Sequence, residues 1–151
     1  MTHTELVILR ELNATPTEFV SGAQLASQLG VSRVAIWQHM EKLRSEGFEF
    51  EALRARGYRI TKRPTALHAT YIEALLAAKN RTFPLTVLDE VDSTNDEAAR
   101  QLVEGRKTPF VILARKQTKG RGRFGRVWHS DDQDNLYSSF AFRPHLAPHR
   151  M

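Results

Sequence analysis

The sequence predicts an α+β chain with two parts, an all-helical front closed by a two-stranded ribbon and a second region of mixed α and β. Three observations predict it. Apolar residues recur at helical spacing in three short stretches before residue 47. Strand-like alternation begins at Phe48 and is interrupted by a tight Arg54-Ala55-Arg56-Gly57 connection. Beyond Lys62-Arg63-Pro64-Thr65, helical and β-branched stretches alternate.

Leu6, Leu9 and Leu12 give the first helix, over about 5–13, and Thr15-Pro16-Thr17 ends it. Ser21 followed by Gln24 has capping-box spacing and opens a second helix over 22–29, which buries Leu25, Ala26 and Leu29. Gly30 occupies the left-handed position that closes a helix. Ser32 caps a third helix running to about Glu46, and Gly47 stops it. Phe48, Phe50 and Ala52 alternate with Glu49 and Glu51, so these three are expected on a buried face. Tyr58 and Ile60 continue the ribbon on a second strand. Helix, helix, turn, helix and ribbon is the order of a winged helix-turn-helix. It is read here as a domain over 1–62, with a linker at 63–67 and a second region over 68–151. In that region Tyr71–Lys79 reads as helix, Leu85–Val91 as strand and Asn95–Glu104 as helix. Phe110–Ala114 and Leu136–Phe142 read as strands.

Composition limits the function classes. Charged residues make up 26% and hydrophobic residues 41%, the balance of a folded globular chain. There is no cysteine, which excludes a disulfide framework, a thiolate zinc site and a thiol nucleophile. No apolar run is long enough to cross a bilayer and no secretory signal opens the chain. The expectation is a cytoplasmic protein without a membrane partner. The net charge is +5, and its placement is more informative than its size. Residues 52–63 and 115–126 each hold a run of Lys and Arg with no acid.

In the front domain, Ile36, Met40 and Leu43 form the inward stripe of the third helix. Ser32, Arg33, Val34, Trp37 and Gln38 then lie at its start or on its outward face, where such a helix meets the major groove. Gln38 suits an adenine edge, and Arg33 suits guanine or phosphate. Arg54, Arg56 and Arg59 on the ribbon suit phosphates, giving affinity with little sequence information. The plainer reading is a three-helix interaction domain with a solvated basic hairpin. Seven acids offset nine bases over residues 1–63, so DNA binding is expected to be weak without dimerisation.

The second positive run contains Lys119-Gly120-Arg121-Gly122-Arg123-Phe124-Gly125-Arg126-Val127-Trp128. Glycines allow close backbone approach, successive N–H groups can hold an anion, and arginines add fixed charge matched to carboxylate or phosphate. Gly120, Gly122 and Gly125 formally match a dinucleotide fingerprint, but that motif needs a helix directly after it and residues 126–130 look extended. A kinase glycine loop would need a lysine strand and a catalytic loop that the chain does not contain. An RNA-binding arginine-glycine patch and a bare basic loop stay open.

Val91-Asp92-Ser93-Thr94-Asn95, the glycine-arginine run from Gln117 to Trp128 and Asp134-Asn135-Leu136-Tyr137-Ser138-Ser139 together resemble the bifunctional biotin-protein ligase and biotin operon repressor family. Ser21-Gly22-Ala23-Gln24-Leu25 and Val31-Ser32-Arg33 resemble the same family's repressor domain. The resemblance implies that the second region is the first part of a mixed α/β ligase catalytic domain. It implies a reaction of biotin and ATP, normally with Mg2+, to biotinyl-5′-adenylate, followed by transfer to a lysine of a biotin carrier domain. It further implies operator DNA as a partner and a homodimer promoted by the adenylate.

By the same resemblance Ser93, Thr94, Asn95, Gln117, Gly120 and Arg121 would contact biotin. Arg121, Gly122, Arg123, Arg126 and Trp128 would hold the adenylate. Taken alone, Ser93 or Thr94 is equally a helix cap, Trp128 a core residue, and Asp131, Asp132 and Asp134 a solvated turn. No metal site is assigned, and the six histidines receive no role. The family's lysine-bearing segment, which touches biotin and phosphate, does not occur within these 151 residues. The 151 residues alone are therefore expected to show little or no ligase turnover. The alternatives are a biotin-responsive regulator without catalysis and an RNA-binding module.

Overall fold

A computed structural model describes residues 2–122, 126–128 and 135–143. The chain divides into two compact units, Met1–Thr82 and Phe83–Met151, which are treated separately.

In the first unit α1 spans His3–Ala14, α2 Gly22–Leu29 and α3 Arg33–Ser45. Ser21 caps α2 by accepting from the Gln24 N–H at 3.4 Å, and Ser32 caps α3 by accepting from the Ala35 N–H at 3.1 Å. Gly30 closes α2 at φ 65°, as its position in the sequence requires. Strands β1 (Glu49–Leu53) and β2 (Gly57–Lys62) pair antiparallel as the ribbon. Val20 adds one further bridge to Tyr58, with N···O distances of 2.8 and 2.9 Å in the two directions. Ile8, Leu9, Leu12, Leu25, Ile36, Met40, Leu43 and Phe48 fill the core.

Two readings of this unit change. Ala52 is exposed, not buried, because β1 keeps an inward face only at Phe50 before the ribbon leaves the body of the unit. Helix α4 (Ala69–Ala78), assigned from the sequence to the second region, packs on α1. The compact unit consequently extends to Thr82, past the segment read as a linker. The attachment is specific. His68 caps α4 by accepting from the Tyr71 N–H at Nδ1, and its Nε2 lies 2.9 Å from Glu46. Both His68 and Tyr71 meet the Phe48 ring edge-on, and the Tyr71 hydroxyl donates to Asn13. This gives a role to a histidine that the sequence left without one.

Glu5 is a buried acid between α1 and α3, accepting from Lys42 Nζ at 2.7 Å and from the Thr2 N–H at 3.4 Å, with His39 Nδ1 at 3.2 Å. Burial pushes its carboxyl up, but the hydrogen bonds from Lys42, His39 and Thr2 outweigh burial and hold it below the ordinary glutamate value. The same pair raises Lys42. A depressed acid contributes stability that is complete above its unfolded value and disappears as pH falls through the folded one. A raised lysine contributes below its unfolded value and loses that contribution as pH rises through the folded one. The pair therefore supports the unit across the neutral range. Glu5→Gln is expected to cost on the order of 1–2 kcal/mol near neutrality and to flatten the acid limb of stability below roughly pH 4. Urea unfolding at several pH values measures both.

The second unit is built on a three-stranded sheet of order β3-β4-β7. β3 (Leu85–Val91) and β4 (Phe110–Gln117) run parallel, joined through α5 (Thr94–Val103), and β7 (Tyr137–Ala141) runs antiparallel to β4. Short strands β5 (Gly120–Arg121) and β6 (Val127–Trp128) pair beside it. Phe110, Ile112, Ala141 and Ala98 form a small core with Leu88 against it. Phe140 and Phe142 on the sheet's β7 side stand 66% and 70% exposed, so this sheet has an uncovered apolar face among the described residues. Among those residues no helix is long and apolar enough to cross a membrane.

Candidate functional site

The second unit's site begins with topology. In an open sheet with parallel strands, ligands sit at the strands' C-terminal ends, where a helix also starts. Here the ends of β3 and β4 lie side by side, Val91 opposite Gln117, and α5 begins three residues after Val91. The backbone ties this corner together, since the N–H groups of Thr118 and Lys119 donate to the carbonyls of Val91 and Asp92. The two motifs that the sequence singled out, 26 residues apart from Val91 to Gln117 in the chain, are thereby neighbours in space.

Side chains complete the corner. Ser93 is the N-cap of α5, its hydroxyl accepting from the Asp96 N–H at 3.4 Å, so the capping reading holds. Thr94 presents its N–H at 2.8 Å and its hydroxyl at 3.1 Å to the same Gln117 Oε1. Ser139, which the sequence analysis gave no role, lies 2.9 Å from Thr94 Oγ1 and 2.6 Å from Asn95 Oδ1. Its single proton serves one of those acceptors at a time. Ser93, Thr94 and Ser139 are buried, whereas Asn95 is exposed. A signal for Ser139 exists in the alternation of β7, which buries Tyr137, Ser139 and Ala141 on one face.

Asp92 fixes the turn into α5. It accepts from its neighbour's N–H at Ser93 and from Arg100 at 2.9 and 2.8 Å. The Arg100 guanidinium, then the Ser93 N–H, hold its carboxyl well below the usual carboxylate range. Glu97 is lowered by the Gln101 amide and by Arg100.

The glycine-arginine segment is placed only in part. Gly120 is buried and pairs with Trp128, and the Gly122 N–H donates to the Arg126 carbonyl at 2.7 Å. Strand β6 follows the glycines where a dinucleotide fingerprint needs a helix. Arg121 pairs with Asp96 at the start of α5, and Arg126 is exposed. The expectation for Arg123 lies outside the described residues, as do those for Asp131, Asp132 and Asp134. Trp128 enters through its backbone pairing alone. The positive run is also less bare than its sequence suggests, because β3 supplies acids across the strand pair. Arg115 reaches Asp89 at 3.4 Å, and Lys116 reaches Glu90 at 2.7 Å.

In the first unit, Arg33, Val34, Trp37 and Gln38 are all exposed on α3, beside Ser32, whose hydroxyl is committed to its cap. A cleft of about 660 Å³ runs between this face and the ribbon, lined by Arg33, Val34, Trp37, Leu53, Arg54 and Tyr58 among others. The ribbon's arginines divide. Arg54 is exposed at the tip. Arg56 lies over the Phe19 ring at 4.7 Å, and Arg59 lies over the same ring while bonded to Glu51 at 2.5 Å. Arg59 is therefore a structural cation more than a phosphate contact.

Comparison with known proteins agrees with both units. Residues 4–59 match the HTH domain family, and residues 87–150 match the biotin/lipoate A/B protein ligase family. The chain is 38% identical over 130 residues to the bifunctional ligase/repressor BirA of Bacillus spizizenii, covering 86% of this chain and 40% of that protein. It is 38% identical over 129 residues to that of Bacillus subtilis, covering 85% and 40%. It is 35% identical over 131 residues to that of Escherichia coli, covering 87% and 39%. The chain thus spans about 40% of the length of the curated relatives it matches.

Proposed function

We propose that this chain, whose residues 87–150 match the biotin/lipoate A/B protein ligase family and whose residues 4–59 match the HTH domain family, is the front part of a biotin-protein ligase that also represses biotin genes. The observation that carries this reading is the hydrogen-bonded corner of Thr94, Gln117 and Ser139, with Thr94 and Ser139 buried and Gln117 half-buried, at the C-terminal ends of β3 and β4. A ureido head needs donors and acceptors held in place out of water, and this corner holds such groups in position, to be exchanged from one another to the ligand. Ser93, Thr94, Asn95 and Gln117 take the head of biotin, while Gly120 and Arg121 take its carboxylate. Arg121, Gly122, Arg123, Arg126 and Trp128 serve the phosphate and adenine.

The chemistry joins two anions. A carboxylate oxygen of biotin attacks the α-phosphorus of ATP and pyrophosphate leaves. The amine of a carrier-domain lysine then attacks the acyl carbon and AMP leaves. Arg121 is exposed and its bond to Asp96 is a surface ion pair, worth at most about 1 kcal/mol, so an incoming anion displaces Asp96 at little cost. Mg2+ is proposed to arrive on the ATP phosphates. The described residues offer no group of three or more acids and histidines to hold it.

For the front domain we propose operator DNA as ligand, read by α3 and positioned by the ribbon, with biotinyl-adenylate promoting a homodimer. Arg56→Ala is expected to weaken binding evenly across sequences and to reduce its salt dependence. Gln38→Ala is expected to relax sequence preference. Fluorescence anisotropy with duplexes from biotin-gene promoters at several salt concentrations checks both, and intact affinity in both variants overturns the groove assignment. For the ligase reading, the protein expressed from the complete open reading frame that contains residues 1–151 is incubated with biotin and α-labelled ATP. Labelled biotinyl-adenylate is the expected product. Biotin binding without adenylate points to a regulator that only senses the vitamin, and no biotin binding overturns the reading.

A further inference from the structure

We propose that the Tyr137 hydroxyl is a specificity-determining group of the biotin site, hydrogen-bonded to the bound vitamin. The proposal rests on the biotin reading of this corner and adds to it a residue to which the resemblance assigned no role.

Tyr137 opens β7 and is buried on the face it shares with Ser139 and Ala141. Across the strand pair that face continues through Ala114, Ile112 and Phe110. Ser139, two residues along β7, is bonded to the first turn of α5. From Ser139 the strand rises about 3.4 Å per residue, so Tyr137 stands about 7 Å further on. Because β7 is antiparallel to β4, that step runs toward the Gln117 end of β4, where the polar corner opens. Tyr137 therefore sits at the Gln117 end of the sheet, on the face that α5 covers.

Its hydroxyl is the one buried side-chain polar atom among the described residues with no hydrogen-bond partner. The cross-strand neighbours Ala114 and Ile112 have no side-chain polar atom to offer. A buried hydroxyl left unpaired costs about 1–3 kcal/mol, and a phenylalanine in the same place would avoid that cost. A polar group so placed, at the strand ends where the proposed biotin corner lies, finds its partner in the ligand. Sites built around such a hydroxyl discriminate strongly against ligands that cannot meet it.

Tyr137→Phe in the whole open reading frame tests this by calorimetric titration with biotin and thermal unfolding without it. The expected result has two parts with opposite signs. Biotin affinity falls by about three- to tenfold, the loss of one hydrogen bond, while ATP affinity is unchanged. Without biotin the variant unfolds at the same temperature as the parent or higher, because the unpaired hydroxyl is gone. Equal biotin affinity in parent and variant overturns the proposal and leaves the biotin reading standing. A lower unfolding temperature without biotin also overturns it, because the hydroxyl then has a protein or water partner. Absence of biotin binding in the parent overturns the underlying reading, and the proposal with it.

Discussion

Gly57→Ala is expected to unfold the ribbon and abolish the proposed DNA binding. Gly57 starts β2 at φ 115°, a conformation that side chains disfavour. An added Cβ there would lie 2.0 Å from the Val20 carbonyl oxygen and 2.8 Å from Ser21 Cα. Both are backbone atoms of the segment that pairs with Tyr58 and then caps α2, so neither can turn away as a side-chain tip would. Relief requires breaking the Val20–Tyr58 bridge or withdrawing the ribbon. The expected cost is on the order of 3–5 kcal/mol, the class of backbone strain and overpacking. Such a loss consumes much of a small domain's total stability. Circular dichroism melting and promoter-duplex anisotropy measure it. The contrasting variant is Gly30→Ala, where the added Cβ meets nothing within 4 Å and only the left-handed φ of 65° is penalised. It is expected to cost about 1 kcal/mol. Equal effects from the two would show that close approach at Gly57 is not what limits the fold.

Thr94→Val carries the largest effect expected in the second unit. Valine keeps the shape and the backbone N–H that donates to Gln117, but it removes the hydroxyl lying between Gln117 and Ser139. A buried network that loses one member leaves others unpaired, so the loss exceeds that of one bond. Biotin affinity is expected to fall by about 30-fold or more, and stability by about 1–3 kcal/mol. Ser139→Ala removes a neighbour of Thr94 but leaves the Thr94–Gln117 pair intact, and its effect on biotin is expected to be smaller. Calorimetry on both variants gives the ranking, and a reversed ranking would move the ligand's polar head from Thr94 to Ser139.

The elements were largely legible because their signals are local. Ser21, Gly30, Ser32, Gly47 and Ser93 mark helix ends through a cap or a positive φ, and the structure uses each of them in that way. Periodicity named Ile36, Met40 and Leu43 as the inward stripe, and all three are fully buried. What failed depended on packing partners remote in the chain. Alternation put Ala52 inside, but the ribbon has no core beside it at that point. The break after Lys62 looked like a domain edge, yet α4 returns to α1 through Tyr71 and Asn13. Charge counting described two bare positive runs, while strand register brings Glu51 to Arg59 and Glu90 to Lys116.

By itself the sequence determined the winged helix-turn-helix order and its outward residues, and it singled out the two motifs that resemble those of the ligase family. Those follow from spacing along one chain, through capping, period and backbone freedom. Only the tertiary structure decided that Val91 ends beside Gln117, that Ser139 bonds Thr94, and that Arg121 is held by Asp96. The physical reason is that parallel pairing joins residues through a crossover helix, and no local signal records which side chains that crossover brings within hydrogen-bond reach.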